Sequence, residues 1–131
     1  MGMKTRPGFT LLEILIVLAA VSVGTVLFFV QKTNVDALQR DEARKIAVNA
    51  MYFNLEEAFY EDNGFYPETI SPENLTAMDP NLFTDPFGIV LGNTDSSYRY
   101  EPTNCTDGEC KHYTLRAILE KEDIFTRQSR H

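Results

Sequence analysis

The stretch RPGFTLLEILIVLAAVSVGTVLFFVQ, Arg6 to Gln31, decides how the rest of the chain is read. From Phe9 to Val30 it runs 22 residues with Glu13 as its single charge. At 1.5 Å rise per residue such a segment makes a helix of roughly 33 Å, enough to cross a hydrocarbon core of about 30 Å. Lys4 and Arg6 precede it and Lys32 follows it, and the positive-inside bias places the N-terminus in the cytoplasm and the C-terminal part outside. A cleaved secretory signal has a similar charged start and apolar middle, with Ala20 and Ser22 as small residues near a cut. Here Val23, Val26, Leu27, Phe28, Phe29 and Val30 carry the apolar run past that point, so the segment reads as a retained membrane helix.

The start of this helix carries a second message. In PGFTLLE, Gly8 stands immediately before Phe9, and Glu13 follows four residues later on the N-terminal side of the apolar run. A short basic leader, Gly, Phe, Thr, Leu, Glu and an apolar helix in this order resemble the class III signal of type IV pilins and pseudopilins. The resemblance implies that a prepilin peptidase cuts after Gly8 and that the new N-terminal residue, Phe9, is N-methylated. It also implies that Glu13 is the family's fifth-position glutamate, an assembly residue that pairs with the amine of Phe9. A charged carboxylate costs about 2.5 to 3.5 kcal/mol at a bilayer centre, so such a partner would offset the cost of Glu13. Snorkelling of Glu13 to the headgroups is the plainer alternative. The sequence departs from the family at Val30, where many pilins have a helix-distorting proline; Gly24 is the remaining interior helix breaker.

Beyond the membrane the helical pattern continues. Gln31 to Asp62 contains no proline, and EDNG offers Gly64 as a C-terminal cap. Ala47, Val48, Met51, Leu55, Ala58 and Phe59 recur at spacings of three and four, a stripe suited to covering a sheet. Val35, Leu38, Ala43, Ile46, Ala50 and Phe53 make a second, looser stripe, read either as core or as a face toward neighbouring subunits. Asp36, Arg40, Asp41, Arg44 and Lys45 read as a solvated face.

A turn-rich connector follows, with Pro67, Pro72, Pro80 and Pro86 excluding long helices. Its NGFYP and DPFG pieces resemble the pilin family again, more loosely. Asp85, Asn93, Asp95 and Ser96 offer oxygen ligands of the kind calcium takes, and some pseudopilins bind calcium in this part of the fold; ordinary loop acidity is the competing reading. No other cofactor is implied.

The C-terminal region reads as a β-hairpin. Asp107 and Gly108 suit a two-residue type I′ turn, which needs positive φ at both positions. With Thr106 opposite Glu109, Cys105 falls opposite Cys110 in a non-hydrogen-bonded pair about 4.5 Å apart, within disulfide range. The same register sets Tyr100 against Leu115 and Tyr98 against Ala117 on the core face, with Arg99, Glu101, Thr114 and Arg116 on the other. Pro102 falls in a hydrogen-bonded pair without an N–H to give, so a bulge or edge position near it is expected to shift the outer register. A disulfide between Cys105 and Cys110 suits an exported segment. A metal is the rival, but His112 and His131 with two thiols fall short of a usual four-ligand site, and no metal is assigned.

At 131 residues without a repeat, the chain allows one domain of ordinary size after the apolar run is set aside. Its net charge is −7, and losing Lys4 and Arg6 with a leader would make it −9. That sign gives nucleic acid phosphates nothing to bind. No Ser, His, Asp arrangement, phosphate-binding glycine loop or paired metal motif can be assembled, so no catalytic residue is expected and the chain reads as a non-enzyme.

The expected architecture is α+β: a leader over 1–8, a transmembrane and filament-core helix over 9–30, its exported continuation over 31–63, and a head of loops and small antiparallel sheet over 64–131. The implied function is a structural subunit of a type IV pilus or related filament, with copies of itself, the prepilin peptidase and a membrane assembly platform as partners. The precursor would sit in the cytoplasmic membrane and the product on the cell surface. The alternatives are a minor pilin or pseudopilin of a secretion or DNA-uptake machine, and a single-pass membrane-anchored binding or adhesion domain.

Overall fold

A computed structural model describes residues 2–3 and 7–131. Lys4 and Arg6, on which the orientation reading rests, lie outside the described residues. Helix α1 spans Leu11–Asn54, passing Gly24 and Val30 without interruption. It is followed by a π-helical turn, Leu55–Phe59, and a last α-helical turn, α2, Tyr60–Asn63. Gly64 ends the helix at φ 75°, where a side chain would be strained, and its N–H donates to the Tyr60 carbonyl at 2.7 Å. The sequence signalled this end correctly; nothing in it announced the π turn.

Two units divide the chain, Met1–Asp36 and Ala37–His131. In the first, the helix from Leu11 to Val30 is exposed and apolar but for Glu13, and beyond it Asn34 and Asp36 are half-buried. In the second, the helix lays Ala47, Val48, Met51 and Leu55 against the sheet, each essentially solvent-free. Ala58 and Phe59, which complete the expected stripe, are only half-buried. The other stripe stays largely uncovered: Val35, Leu38, Ile46 and Phe53 are exposed.

The sheet has four strands: β1 (Tyr66–Pro67), β2 (Tyr98–Thr106), β3 (Glu109–Ala117) and β4 (Phe125–Gln128). All three neighbours pair antiparallel with β3, β2 along its whole length and β1 and β4 at either end of the other edge. The hairpin turn is as read, with Asp107 at φ 53° and Gly108 at φ 80°. The register is also as read: Thr106 faces Glu109, Cys105 faces Cys110, Tyr100 faces Leu115 and Tyr98 faces Ala117. Tyr98, Leu115 and Ala117 are buried, and Arg116 is exposed.

The shift expected at Pro102 does not occur. Pro102 pairs with Tyr113 in the unshifted register, tolerated because β2 is an edge strand. The irregularity falls two residues later, at Asn104, which takes φ 55° and has no register partner. Across from it the buried positions of β3 run Cys110, Tyr113, Leu115, Ala117, so the alternation is out of step by one between Cys110 and Tyr113.

One expectation about the helix is corrected. Asp41 and Arg44 are not on a solvated face; each is 1% exposed. Arg44 donates to the Asp41 carboxylate at 2.9 Å, to Glu120 at 2.7 Å and to the Ser97 hydroxyl at 3.1 Å. Asp41 also accepts the backbone N–H groups of Glu120 and Lys121, both at 2.8 Å. Arg40 grips Glu120 through two nitrogens, at 2.7 and 2.8 Å. The ring of Phe87 lies over both guanidinium groups, 5.2 to 5.3 Å away. Periodicity could not show this, because the partners come from a loop some eighty residues away.

Burial alone would raise the pKa of Asp41, but the Glu120 and Lys121 amides and the Arg44 guanidinium hold it below the ordinary carboxylate value. Hydrogen bonds from Arg40 and then Arg44 pull Glu120 down to about 2. Carboxylates with lowered folded pKa values stabilise the fold above their unfolded values and lose that contribution as pH falls. Unfolding midpoints in denaturant are therefore expected to hold above pH 4.5 and to decline as pH falls toward 2, the folded value of Glu120. Arg44→Ala, which leaves two carboxylates facing a void, is expected to cost about 3 kcal/mol in urea unfolding followed by circular dichroism. A cost near zero would show that the network contributes nothing to stability.

Candidate functional site

The N-terminal segment gives the residues around the helix start definite places. Gly8, Phe9 and Thr10 are exposed and outside regular secondary structure, and α1 opens at Leu11. Thr10 caps the helix: its hydroxyl accepts the Glu13 N–H at 3.2 Å, and its carbonyl accepts the Ile14 N–H at 3.2 Å. Glu13 therefore occupies the third helical position, where a carboxylate suits the positive end of the helix dipole. The pattern T-x-x-E, Thr10 to Glu13, is a capping-box signature that the sequence displayed and the reading above did not use. Gly8 has open space around the position a Cβ would take, and its backbone is not in the left-handed region. Nothing in the chain's own fold demands glycine there.

Along the apolar segment the hydroxyls are satisfied internally. Ser22 donates to the Leu18 carbonyl and Thr25 to the Val21 carbonyl, both at 2.8 Å, and Thr33 to the Val30 carbonyl at 2.9 Å. Such pairing leaves no hydroxyl seeking a partner in hydrocarbon. By length and composition this helix is apolar enough to cross a membrane.

Comparison with known families identifies the segment. Residues 3–29 carry the prokaryotic N-terminal methylation motif. This motif is the class III signal of type IV pilins. It covers Gly8, Phe9, Thr10 and Glu13 together with most of the apolar run. No curated protein and no solved structure matches the chain.

In the head, Cys105 and Cys110 form a disulfide with a Cα–Cα distance of 4.0 Å, Cys110 fully buried and Cys105 exposed. The bond spans the hairpin next to the type I′ turn. His112 is an exposed strand residue whose Nδ1 lies 2.8 Å from the His131 carbonyl oxygen. Of the four oxygen-bearing loop residues, the side chains of Asp85, Asn93 and Ser96 accept nearby backbone N–H groups. Asp85 accepts the N–H groups of Phe87, Ile89 and Ser97, each at 2.9 Å. Asn93 accepts the Asp95 N–H at 3.3 Å, and Ser96 accepts the Tyr98 N–H at 3.2 Å. Among the described residues no group of three or more His, Cys, Asp or Glu is placed to hold a metal ion.

A second buried carboxylate, unmarked by any motif, sits in the π turn. Glu56 has no exposed side-chain surface. It accepts the hydroxyls of Tyr113 at 2.7 Å and Tyr66 at 3.0 Å and the backbone N–H of Arg130 at 3.1 Å. Burial first, and hydrogen bonding to Glu56 second, push both tyrosines well above the ordinary phenol range, so they remain donors.

The disulfide gives this subsection its measurable outcome. A loop this short contributes about 2 kcal/mol on the chain-entropy account. Cys105→Ser is expected to lower urea stability by about that much. Limited proteolysis should then cut between Thr106 and Glu109 while the rest of the sheet resists. Free thiols titrating in the native chain would show that the bond does not form.

Proposed function

We propose that the chain is a structural subunit of a type IV pilus or related filament, made as a membrane precursor and assembled through its processed N-terminal helix. The observation that carries this reading is the methylation motif at residues 3–29, coinciding with an apolar helix that opens two residues after Phe9. The leader would be residues 1–8, the membrane and filament-core segment 9–30, the exported continuation 31–63 and the head 64–131. A prepilin peptidase would cut between Gly8 and Phe9 and methylate the Phe9 amine. Gly8 meets no steric or backbone need within the fold, so its identity is best explained by an outside partner that must approach the backbone closely.

Glu13 is read as the assembly residue. In a dry filament core the Phe9 amine and a carboxylate each need a partner far more than in water. Pairing between the arriving Phe9 and Glu13 of a neighbour would favour docking at one axial step. Leu38, Ile46 and Phe53 leave an apolar stripe exposed and the membrane segment is exposed as well, and a neighbouring copy is the natural cover for each. The chemistry asked of the chain is association; its partners are its own copies, the peptidase and a membrane assembly platform. After assembly the head would lie on the outside of a surface filament.

Mass spectrometry of the exported chain is expected to find Phe9, N-methylated, at the N-terminus, and Gly8→Leu to leave the precursor uncut. A mature chain beginning at Met1 or near Ser22 would overturn the processing. Glu13→Leu is expected to leave insertion and cleavage intact while filaments are lost, since an unpartnered buried charge costs about 3 kcal/mol or more at each added subunit. Normal filaments from a strain holding only that variant would remove Glu13 from assembly. Cleaved chain that never enters filaments of its own would favour the minor pilin or pseudopilin role.

A further inference from the structure

The last residues of the chain lie along the end of the helix. Ser129 extends the pairing of β4 by donating its N–H to the Tyr113 carbonyl at 3.1 Å. Arg130 then fastens to three residues of the helix: its backbone N–H to Glu56, its Nε to the Tyr52 hydroxyl at 2.9 Å, and its guanidinium to Glu57 at 2.6 Å. The same guanidinium lies over the Tyr52 ring, 5.3 Å from its centre. His131 stacks flat on Tyr60 with ring centres 4.2 Å apart, and its Nε2 is 3.9 Å from Glu56.

These contacts fall on one short stretch, Tyr52 to Tyr60, and that stretch contains the π turn. A π turn is a rare, wide turn that persists where its surroundings hold it. Here the surroundings differ on its two sides. Tyr66 and Tyr113, which hold Glu56 from the sheet, belong to the buried core. Arg130 and His131, which hold it from the other side, keep 43% and 49% of their side-chain surfaces in solvent. Ion pairs and stacks at that exposure are individually weak, so the tail is the part of this arrangement that opens most readily.

We propose that residues 129–131 are a releasable strap that holds the π turn and the final helical turn in place. With the strap seated, Glu56 is sealed and the helix runs to Gly64. With it lifted, Glu56 keeps its two tyrosines but faces water, and Leu55 to Asn63 lose their outer support. His131 also lines a cleft of about 560 Å³ together with Tyr60, Phe65, Glu109 and His112. The strap does not depend on the filament reading, because every contact lies within the unit Ala37–His131.

The test is hydrogen exchange by mass spectrometry on the full chain in detergent, comparing wild type with the Arg130→Ala, His131→Ala double variant. Both side chains are exposed, so the variant keeps its core. Exchange is expected to quicken by about tenfold or more in Leu55 to Asn63, with β2 and β3 unchanged. Unchanged exchange over Leu55 to Asn63 would overturn the strap. A uniform rise that includes β2 and β3 would also overturn it, by showing that the tail supports the whole fold rather than the helix end. A further single variant, Lys45→Ala, removes the ion pairs to Glu42 at 3.1 Å and Glu122 at 2.7 Å without touching the strap, and is expected to leave Leu55 to Asn63 protected.

Discussion

Two buried carboxylates set the position of the sheet along the helix. Apolar packing is non-directional, and a seam of Ala47, Val48, Met51 and Leu55 would by itself accept a sheet slid along it by a residue or two. Asp41 and Glu56 stand at either end of that seam, fifteen residues apart, roughly 22 Å along the helix axis. Asp41 takes two backbone amides from the loop after β3, and Glu56 takes a hydroxyl from β1 and another from β3. A slide would strip both of donors at once, leaving unpaired charge in the interior. The apolar seam provides most of the driving force for docking, and the carboxylates determine where it stops.

Much of this was legible in the sequence, for reasons that differ by residue. The apolar run from Phe9 needs only length and composition. The hairpin needs only Asp107 and Gly108, because a two-residue turn fixes every pair that follows, and the pairing of Cys105 with Cys110 came with it. What stayed hidden depended on distant partners. Asp41 and Arg44 look like solvated charges until Glu120 and Ser97 arrive from other elements. Glu56 lies among acidic neighbours that are exposed, and the π turn beside it leaves no mark in composition. Thr10 was readable as a cap, but the stronger meaning of Glu13 drew attention away from it.

The chain's two units present opposite problems to their surroundings. The methylation motif and its helix bury nothing within the chain and satisfy their own hydroxyls, a surface suited first to lipid and then to other helices. The head is acidic, well tied internally, and keeps one apolar stripe of its helix uncovered. The proposed filament reconciles the two, since each uncovered apolar surface would be covered by a copy of the same chain.

The arrangement of strands also constrains the order in which the head can form. In the sheet ladders β1, β2 and β4 each pair with β3 and not with one another. The β2–β3 hairpin closes across a two-residue turn and is the most local pairing in the head, whereas β1 joins β3 from more than forty residues away. Local pairings form ahead of distant ones because less chain entropy is lost in closing them. An emerging chain would thus complete its template strand only after the N-terminal helix had long been synthesised. Until then the apolar seam of the helix would stand open, and the interval before β3 appears is the period in which the chain is most exposed to aggregation and proteolysis.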